Sequence, residues 1–173
     1  MADGTSIIEP EAKVEVRCAI PDEVDEVMRL ALAGCEENAF VPYETDLVLQ
    51  DVWAALNLQA GLVGAIGPVG GRLEGAVLLR VGTVWYSRSP TIEERAIYVD
   101  PEFRQAKGGR AARLFEFSHY IADSLGLPLT IGVLSDERTA AKIRMYSRSM
   151  GPQDGAYWVY WPKGHPKHKE LVK

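Results

Sequence analysis

The densest chemistry in the chain lies in Ile97-Tyr98-Val99-Asp100-Pro101-Glu102-Phe103-Arg104-Gln105-Ala106-Lys107-Gly108-Gly109-Arg110-Ala111-Ala112-Arg113-Leu114. The pattern predicts a strand ending at Val99, a turn forced by Pro101, and a loop with two glycines running straight into a helix. Such a junction aims backbone N–H groups and the positive end of a helix dipole at one point. Glycine lets the main chain approach an anion closely. Arg104, Lys107 and Arg110 add formal positive charge, so a pyrophosphate suits the site. Gly108-Gly109 alone is a modest signal, because a glycine pair also serves merely to make a turn. The segment lacks the Gly-x-x-x-x-Gly-Lys-Ser/Thr of nucleoside triphosphatases and the Gly-x-Gly-x-x-Gly of dinucleotide folds.

Beyond this loop, the titratable residues form few constellations. Glu93 and Glu94 fall on the strand that leads into it, where alternation puts them on opposite faces, so at most one lines a cleft. The other reading makes both of them solvated edge residues paired with Arg88 or Arg95. Tyr146 falls on a later helix, and a core aromatic would read the same way. His119 sits mid-helix, and Trp85, Tyr86, Trp158, Tyr160 and Trp161 are strand aromatics for which packing is the first explanation. No Ser-His-Asp or Cys-His arrangement is legible. Cys18 and Cys35 have no metal-ligand spacing and read as free thiols in a reducing, cytoplasmic compartment; with His119, His165 and His168 scattered, no metal site is expected.

Elements able to position these groups follow in order. Val14–Ile20 alternates as a strand, and Pro21 with Asp22 and Glu23 opens a helix. A second helix is expected from about Asp46 to Asn57, with Leu49, Val52, Trp53 and Leu56 on one face. Leu62–Ile66, Arg72–Tyr86 and Thr91–Val99 read as strands around glycine-rich turns. A helix from about Gly109 to Ser124 carries Leu114, Phe117 and Ile121 on one face and stops at Gly126 and Pro128. Leu129–Leu134 is a strand. Ser135-Asp136-Glu137 opens a helix lined by Ile143, Tyr146 and Met150, and Ala156–Trp161 is a last strand. The order β-α-α-β-β-β-α-β-α-β predicts an α+β fold, with a mixed, mostly antiparallel sheet and helices on both faces.

The strand and loop Val99-x-Pro101-x-x-Arg104, the glycines and the amphipathic helix resemble the acetyl-CoA motif of the GNAT superfamily of N-acetyltransferases. Arg17 before Pro21-Asp22, and Tyr146 within Ala140-Ala141-Lys142-Ile143-Arg144-Met145-Tyr146, extend the resemblance over nearly the whole chain. A narrower similarity is to acetyltransferase-like proteins of tailed phages. The resemblance implies a family loop Arg/Gln-x-x-Gly-x-Gly/Ala whose amides hold the cofactor pyrophosphate. In one register Arg104 and Gly109 match and Lys107 replaces the first glycine. Shifted by one, Gln105 and Gly108 match and Arg110 takes the Gly/Ala place. Thr139 stands nearest the asparagine common at the start of the last helix, and Met150-Gly151-Pro152 where Gly-Phe is expected.

What the resemblance implies is acetyl transfer from acetyl-CoA to an amine of a peptide, a protein or a small molecule. Arg104, Gln105, Lys107, Gly108, Gly109, Arg110 and Ala111 would hold phosphates, and amides near Tyr98 and Val99 the thioester carbonyl. Glu93 or Glu94 would be the base, and Tyr146 the acid for the departing thiolate. The altered glycine pattern also allows a fold of this type without catalysis, acting as a binding or structural element.

Bulk properties bound the remaining options. The 173 residues suit one domain over 13–162, between an arm at 1–12 and a basic tail at 163–173 carrying Lys163, Lys167, Lys169 and Lys173. A net charge of −5 argues against a general nucleic-acid binder, and the tail reads first as solvated. No apolar stretch is long enough to span a bilayer, and the strand aromatics are compatible with a homodimer.

Overall fold

A computed structural model describes residues 14–133 and 139–156. The strands are β1 (Arg17–Cys18), β2 (Gly61–Ile66), β3 (Gly75–Thr83), β4 (Pro90–Val99) and β5 (Leu129–Ile131). They form one sheet in the order β1-β2-β3-β4-β5. Its first three pairings are antiparallel, and β4–β5 is parallel. The helices are α1 (Val24–Asn38), α2 (Thr45–Leu56), α3 (Arg110–Leu125) and α4 (Thr139–Met150). This is the α+β architecture expected. The basic tail, the opening Ser135-Asp136-Glu137 and the last strand beyond Ala156 lie outside the described residues.

Two apolar layers sandwich the sheet, as strand alternation requires. Val63, Ala65 and Ala76 pack with Val27 and Leu30 of α1 and Val52, Ala55 and Leu56 of α2. On the other face Ile66, Val77, Leu79, Ile92 and Val99 pack with Leu114 and Ala122 of α3. Gly64 admits α3 closely: a Cβ there would stand 2.6 Å from the Phe117 ring. Among the described residues, no helix is long and apolar enough to cross a membrane.

Several elements depart from expectation in extent or facing. β1 is two residues long, because only Arg17 and Cys18 find partners on β2. The core face of α2 is Val48, Val52, Ala55 and Leu56, while Leu49 and Trp53 are exposed. The apolar residues of α2 outnumber one face, so composition alone does not select it. On α3 the buried residues are Leu114, Phe115, Ser118 and Ala122, and the expected Phe117 and Ile121 pack half-buried against the core beside them. Of the three residues expected to line α4, only Tyr146 is buried; Ile143 and Met150 are exposed.

The entry to α1 is tied by Glu23. Its carboxylate accepts two hydrogen bonds from Arg17, at 2.8 and 2.6 Å, and one each from the N–H groups of Ile20 and Gly70. The Arg17 hydrogen bond holds this carboxyl down at about 2, against the opposing effect of burial. A depressed carboxyl stabilises the fold above its unfolded value of about 4.5 and loses that contribution as pH falls toward 2. Glu23→Gln is therefore expected to lower stability by about 2–3 kcal/mol at neutral pH. In urea titrations, the difference from wild type should shrink between pH 5 and pH 2.

Candidate functional site

β4 carries the site because its ladder is irregular at one point. Leu78 of β3 faces Ala96, but the next residue, Leu79, faces Glu94, so Arg95 is an extra residue. A bulge of this kind shifts the alternation by one position. Ile97 and Val99 pack toward α3, and uninterrupted alternation from them would bring Glu93 to the same face. Instead Ile92 and Glu94 occupy it, and Glu93 is exposed, 3.2 Å from Arg95. Pairing between β4 and β5 reaches only Glu94, opposite Ile131. Past that point no strand among the described residues covers this edge of β4.

A cavity of about 220 Å³ opens there. Glu94, Arg95 and Tyr98 of β4 line it, with Asn38 and Phe40 at the end of α1 and Lys142 and Tyr146 of α4. Glu94 is only 8% exposed. Its Oε1 accepts the Tyr146 hydroxyl at 2.5 Å, while its Oε2 is buried without a hydrogen-bond partner among the described residues. Burial pushes the Glu94 carboxyl up to about 7, with the Tyr146 hydrogen bond and the Lys142 charge opposing. Burial, followed by the adjoining Glu94 charge, holds the Tyr146 phenol well above its ordinary value. Tyr146 is set by packing too, edge-to-face on Phe115 of α3 with ring centroids 5.0 Å apart. Cys35 also borders the cavity, and burial raises its thiol.

A second candidate feature is the start of α3. Gly109 caps it in a left-handed conformation (φ 57°, ψ 55°), without a side-chain cap. The first amide used inside the helix is Arg113 N–H, given to Gly109 O at 3.0 Å. The N–H groups of Arg110, Ala111 and Ala112 have no partner among the described residues, which is the donor cluster an anion requires. On β4, Asp100 N–H goes to Glu74 O at 2.9 Å. By alternation Tyr98 also turns its amide toward β3, leaving Ile97 and Val99 to present theirs on the open side.

Charged side chains of the loop serve a different purpose from the one their formal charge suggests. Arg104 donates to Val99 O at 2.8 Å and to Glu37 at 2.5 Å, with its guanidinium 4.9 Å from the Tyr98 ring. Arg110 donates to Glu74 at 2.8 Å and to Lys107 O. Both arginines brace the loop. Gln105 and Lys107 are exposed on it. Gly108 has φ 100°, which disfavours any side chain, and a Cβ there would also stand 2.7 Å from Val14 Cγ2. At Gly109 a Cβ would meet only Ala112 Cβ at 3.8 Å.

Of the residues that sequence reasoning singled out, the fold brings Glu94, Tyr98 and Tyr146 to one cavity, while Val99 and the α3 start follow farther along the same strand–loop–helix. It leaves Glu93 outside, and it adds Lys142, Asn38 and Phe40, which no motif marked. Among the described residues no histidine, cysteine and carboxylate cluster could hold a metal ion.

A buried carboxylate raised to about 7 weakens the fold as it ionises. Glu94 binds its proton more tightly in the folded chain, so stability falls as pH rises from about 4.5 to about 7 and then levels. Glu94→Gln keeps an acceptor for Tyr146 and removes the charge. The variant should be the more stable one at pH 8, by roughly 2–3 kcal/mol, with the gap closing at pH 5. Melting curves at both pH values check this; a gap independent of pH would refute it.

No protein-family model and no curated protein matches the sequence. Solved structures do match the fold. AAC(6')-Iy, in complex with the bisubstrate analogue CoA-S-monomethyl-acetylneamine, superposes with TM-score 0.63 at 15% identity, over 88% of this chain and 99% of that one. An aminoglycoside acetyltransferase from an uncultured soil metagenomic sample, in complex with trehalose, gives 0.60 at 14%, over 90% and 100%. Ribosomal-protein-alanine N-acetyltransferase from Brucella melitensis gives 0.60 at 15%, over 86% and 98%. The chain has the fold of GNAT acetyltransferases.

Proposed function

We propose that this protein is an acetyl-CoA-dependent N-acetyltransferase that uses Glu94 as its base. The observation that carries the reading is Glu94 Oε2, buried without a hydrogen-bond partner among the described residues in the cavity where β4 loses β5. A buried acceptor left without a donor costs about 1–3 kcal/mol, so such an atom calls for a partner from outside the chain. A reacting amine is that kind of donor. The uncovered amides at the start of α3 meet the other need, a place for phosphate oxygens, and Gly109 lets them be reached.

The residues then divide the work. Val99 and Ile97 offer N–H groups to the thioester carbonyl oxygen, where negative charge develops as the amine nitrogen bonds to the acyl carbon. Glu94 Oε2 takes the proton that nitrogen must lose. A carboxyl near 7 is matched to that task at neutral pH. As the C–S bond breaks, Tyr146 turns its hydroxyl from Oε1 and gives its proton to the sulfur, and the carboxyl of Glu94 turns the proton gained on Oε2 to the phenol oxygen, which lies 2.5 Å from Oε1, to restore it. The net transfer is one proton from nitrogen to sulfur, with Glu94 and Tyr146 unchanged. The raised phenol alone is a weak acid, and coupling to Glu94 removes the need for a free tyrosinate.

The acceptor is a primary amine on a peptide, a protein or a small molecule. Aminoglycoside and ribosomal-protein acetyltransferases among the fold neighbours keep these classes open. Pairing of Arg104 with Glu37 and Arg110 with Glu74 favours a second reading, in which the fold binds but does not catalyse. A phosphate-binding loop relying on neutral amides is still consistent with transfer.

Calorimetry with acetyl-CoA, followed by an acyl-transfer assay on a panel of amines, tests the proposal. A ligand at a hundred times its dissociation constant adds about 2.7 kcal/mol of stability, a readily visible melting shift. No heat and no shift would end the acetyltransferase reading, and binding without transfer would select the second one. Gly109→Ala should weaken binding by roughly tenfold through the methyl group and the left-handed backbone, about 1.4 kcal/mol. Arg104→Ala should lower the melting temperature more than it lowers affinity.

For the chemical step, Glu94→Gln and Tyr146→Phe should each lower turnover by roughly 10²–10⁴-fold with little change in acetyl-CoA affinity. A Tyr146→Phe variant with unchanged turnover would leave that hydroxyl a packing role.

A further inference from the structure

Lys142 and Tyr146 are four residues apart on α4 and therefore lie on one face of the helix. Both line the cavity that holds Glu94. Tyr146 is bound to Glu94 directly. The Lys142 Nζ donates to Asn38 Oδ1 of α1 at 2.9 Å, joining two elements 104 positions apart at the cavity wall. Asn38 is itself held, with its Nδ2 on Gly34 O at 3.0 Å. A cation on this wall is unexpected beside a site that receives amines, because it repels the protonated form of the acceptor. It has a use if its object is the base.

We propose that Lys142 is a positioning residue for Glu94: it fastens α4 to α1 at the cavity wall and supplies the positive charge that keeps the buried carboxylate ready to accept a proton. The inference rests on the reading of Glu94 as base. Lys142 opposes the effect of burial on Glu94 through space, and Tyr146 does so by its hydrogen bond. The other polar neighbours are differently engaged. On β4, Arg95 is turned to Asp51 and Glu93, and Tyr98 lies against Arg104. On β3, Arg80 is turned to Asp51. Cys35 of α1 is a thiol whose ionisation burial disfavours. His119 of α3 is engaged with the Phe115 ring, with centroids 4.3 Å apart, and does not line the cavity. β5 contributes no ionisable side chain over Leu129–Ile131. The lysine thus performs two linked tasks. It repels a protonated amine at the mouth of the base, and it keeps the base in the form that can deprotonate one.

The test compares pH profiles of kcat/KM in the intact protein. Lys142→Met should move the acid limb upward by about one pH unit, the low end of the effect of an opposite charge nearby. The loss should then be about tenfold well below the limb and should vanish above pH 9. Lys142→Arg keeps the charge and should leave the limb in place. A limb unmoved in Lys142→Met, or moved equally in Lys142→Arg, overturns the proposal. Asn38→Ala keeps the charge and releases the fastening. It should lower kcat several-fold with the acid limb unmoved, and an unchanged kcat would overturn the fastening role. A direct titration separates this inference from the activity it rests on. In protein labelled with 13C at glutamate carboxyls, the Glu94 resonance is identified by its loss in Glu94→Gln. Its midpoint should rise in Lys142→Met and stay in Lys142→Arg even when no amine is acetylated. A shifted midpoint without acetyl transfer to any amine would sink the acetyltransferase reading and leave the pairing of Lys142 with Glu94 standing, whereas a fixed midpoint in both variants would sink the pairing itself.

Discussion

The bulge at Arg95 is the constraint around which the site is arranged. One inserted residue changes which of two adjacent glutamates faces the α3 side of the sheet, and it does so next to the last paired residue of β5. Below that point β4 is a central strand with both edges satisfied. Above it no strand among the described residues pairs with that edge, and a carboxyl has entered the layer that otherwise holds Ile92, Ile97 and Val99. Both consequences come from one local irregularity in hydrogen bonding, and each is needed for a cleft containing a buried, titratable group. Bulges of this kind re-aim a side chain while leaving the rest of the ladder intact.

Burial at that place has opposing effects that the surrounding residues balance. Desolvation disfavours the charged form of Glu94, and a carboxyl far above neutral pH would be useless as a base. Tyr146 and Lys142, presented from one face of α4, pull in the other direction. Phe115 fixes Tyr146 from α3, and Asn38 meets Lys142 from α1. The proposed chemistry therefore depends on helices from both layers of the sandwich meeting where β4 runs past β5.

The loop before α3 follows a different logic. Its arginines neutralise Glu37 and Glu74 and tie the loop to α1 and β3 flanks, which holds the chain in the shape that leaves the first helical amides uncovered. Rigid neutral donors in a fixed array can bind a phosphate group without a local excess of charge, since the dipoles are already oriented. Gly109 is required by its left-handed backbone. Gly108 is required by its positive φ and by the Val14 side chain beside it.

Local chemistry determined the strand, turn and helix order, because Pro21, Pro101, Gly126 and the alternating runs act within a few residues of themselves. It also determined the strand–loop–helix junction at Val99–Ala111, where the anion-binding geometry is a property of the backbone. Tyr146 and the glutamate pair were legible as candidates from position, but not their partners. Only the folded chain decided between Glu93 and Glu94, since a bulge arises from pairing with β3 and leaves no mark in the residues of β4 alone. It likewise decided that Arg104 and Arg110 are braces, because Glu37 and Glu74 are distant in sequence. Lys142 joins the site for the same reason: Glu94 and Asn38 are dozens of positions away, and the contact exists only once α1, β4 and α4 close on one cavity.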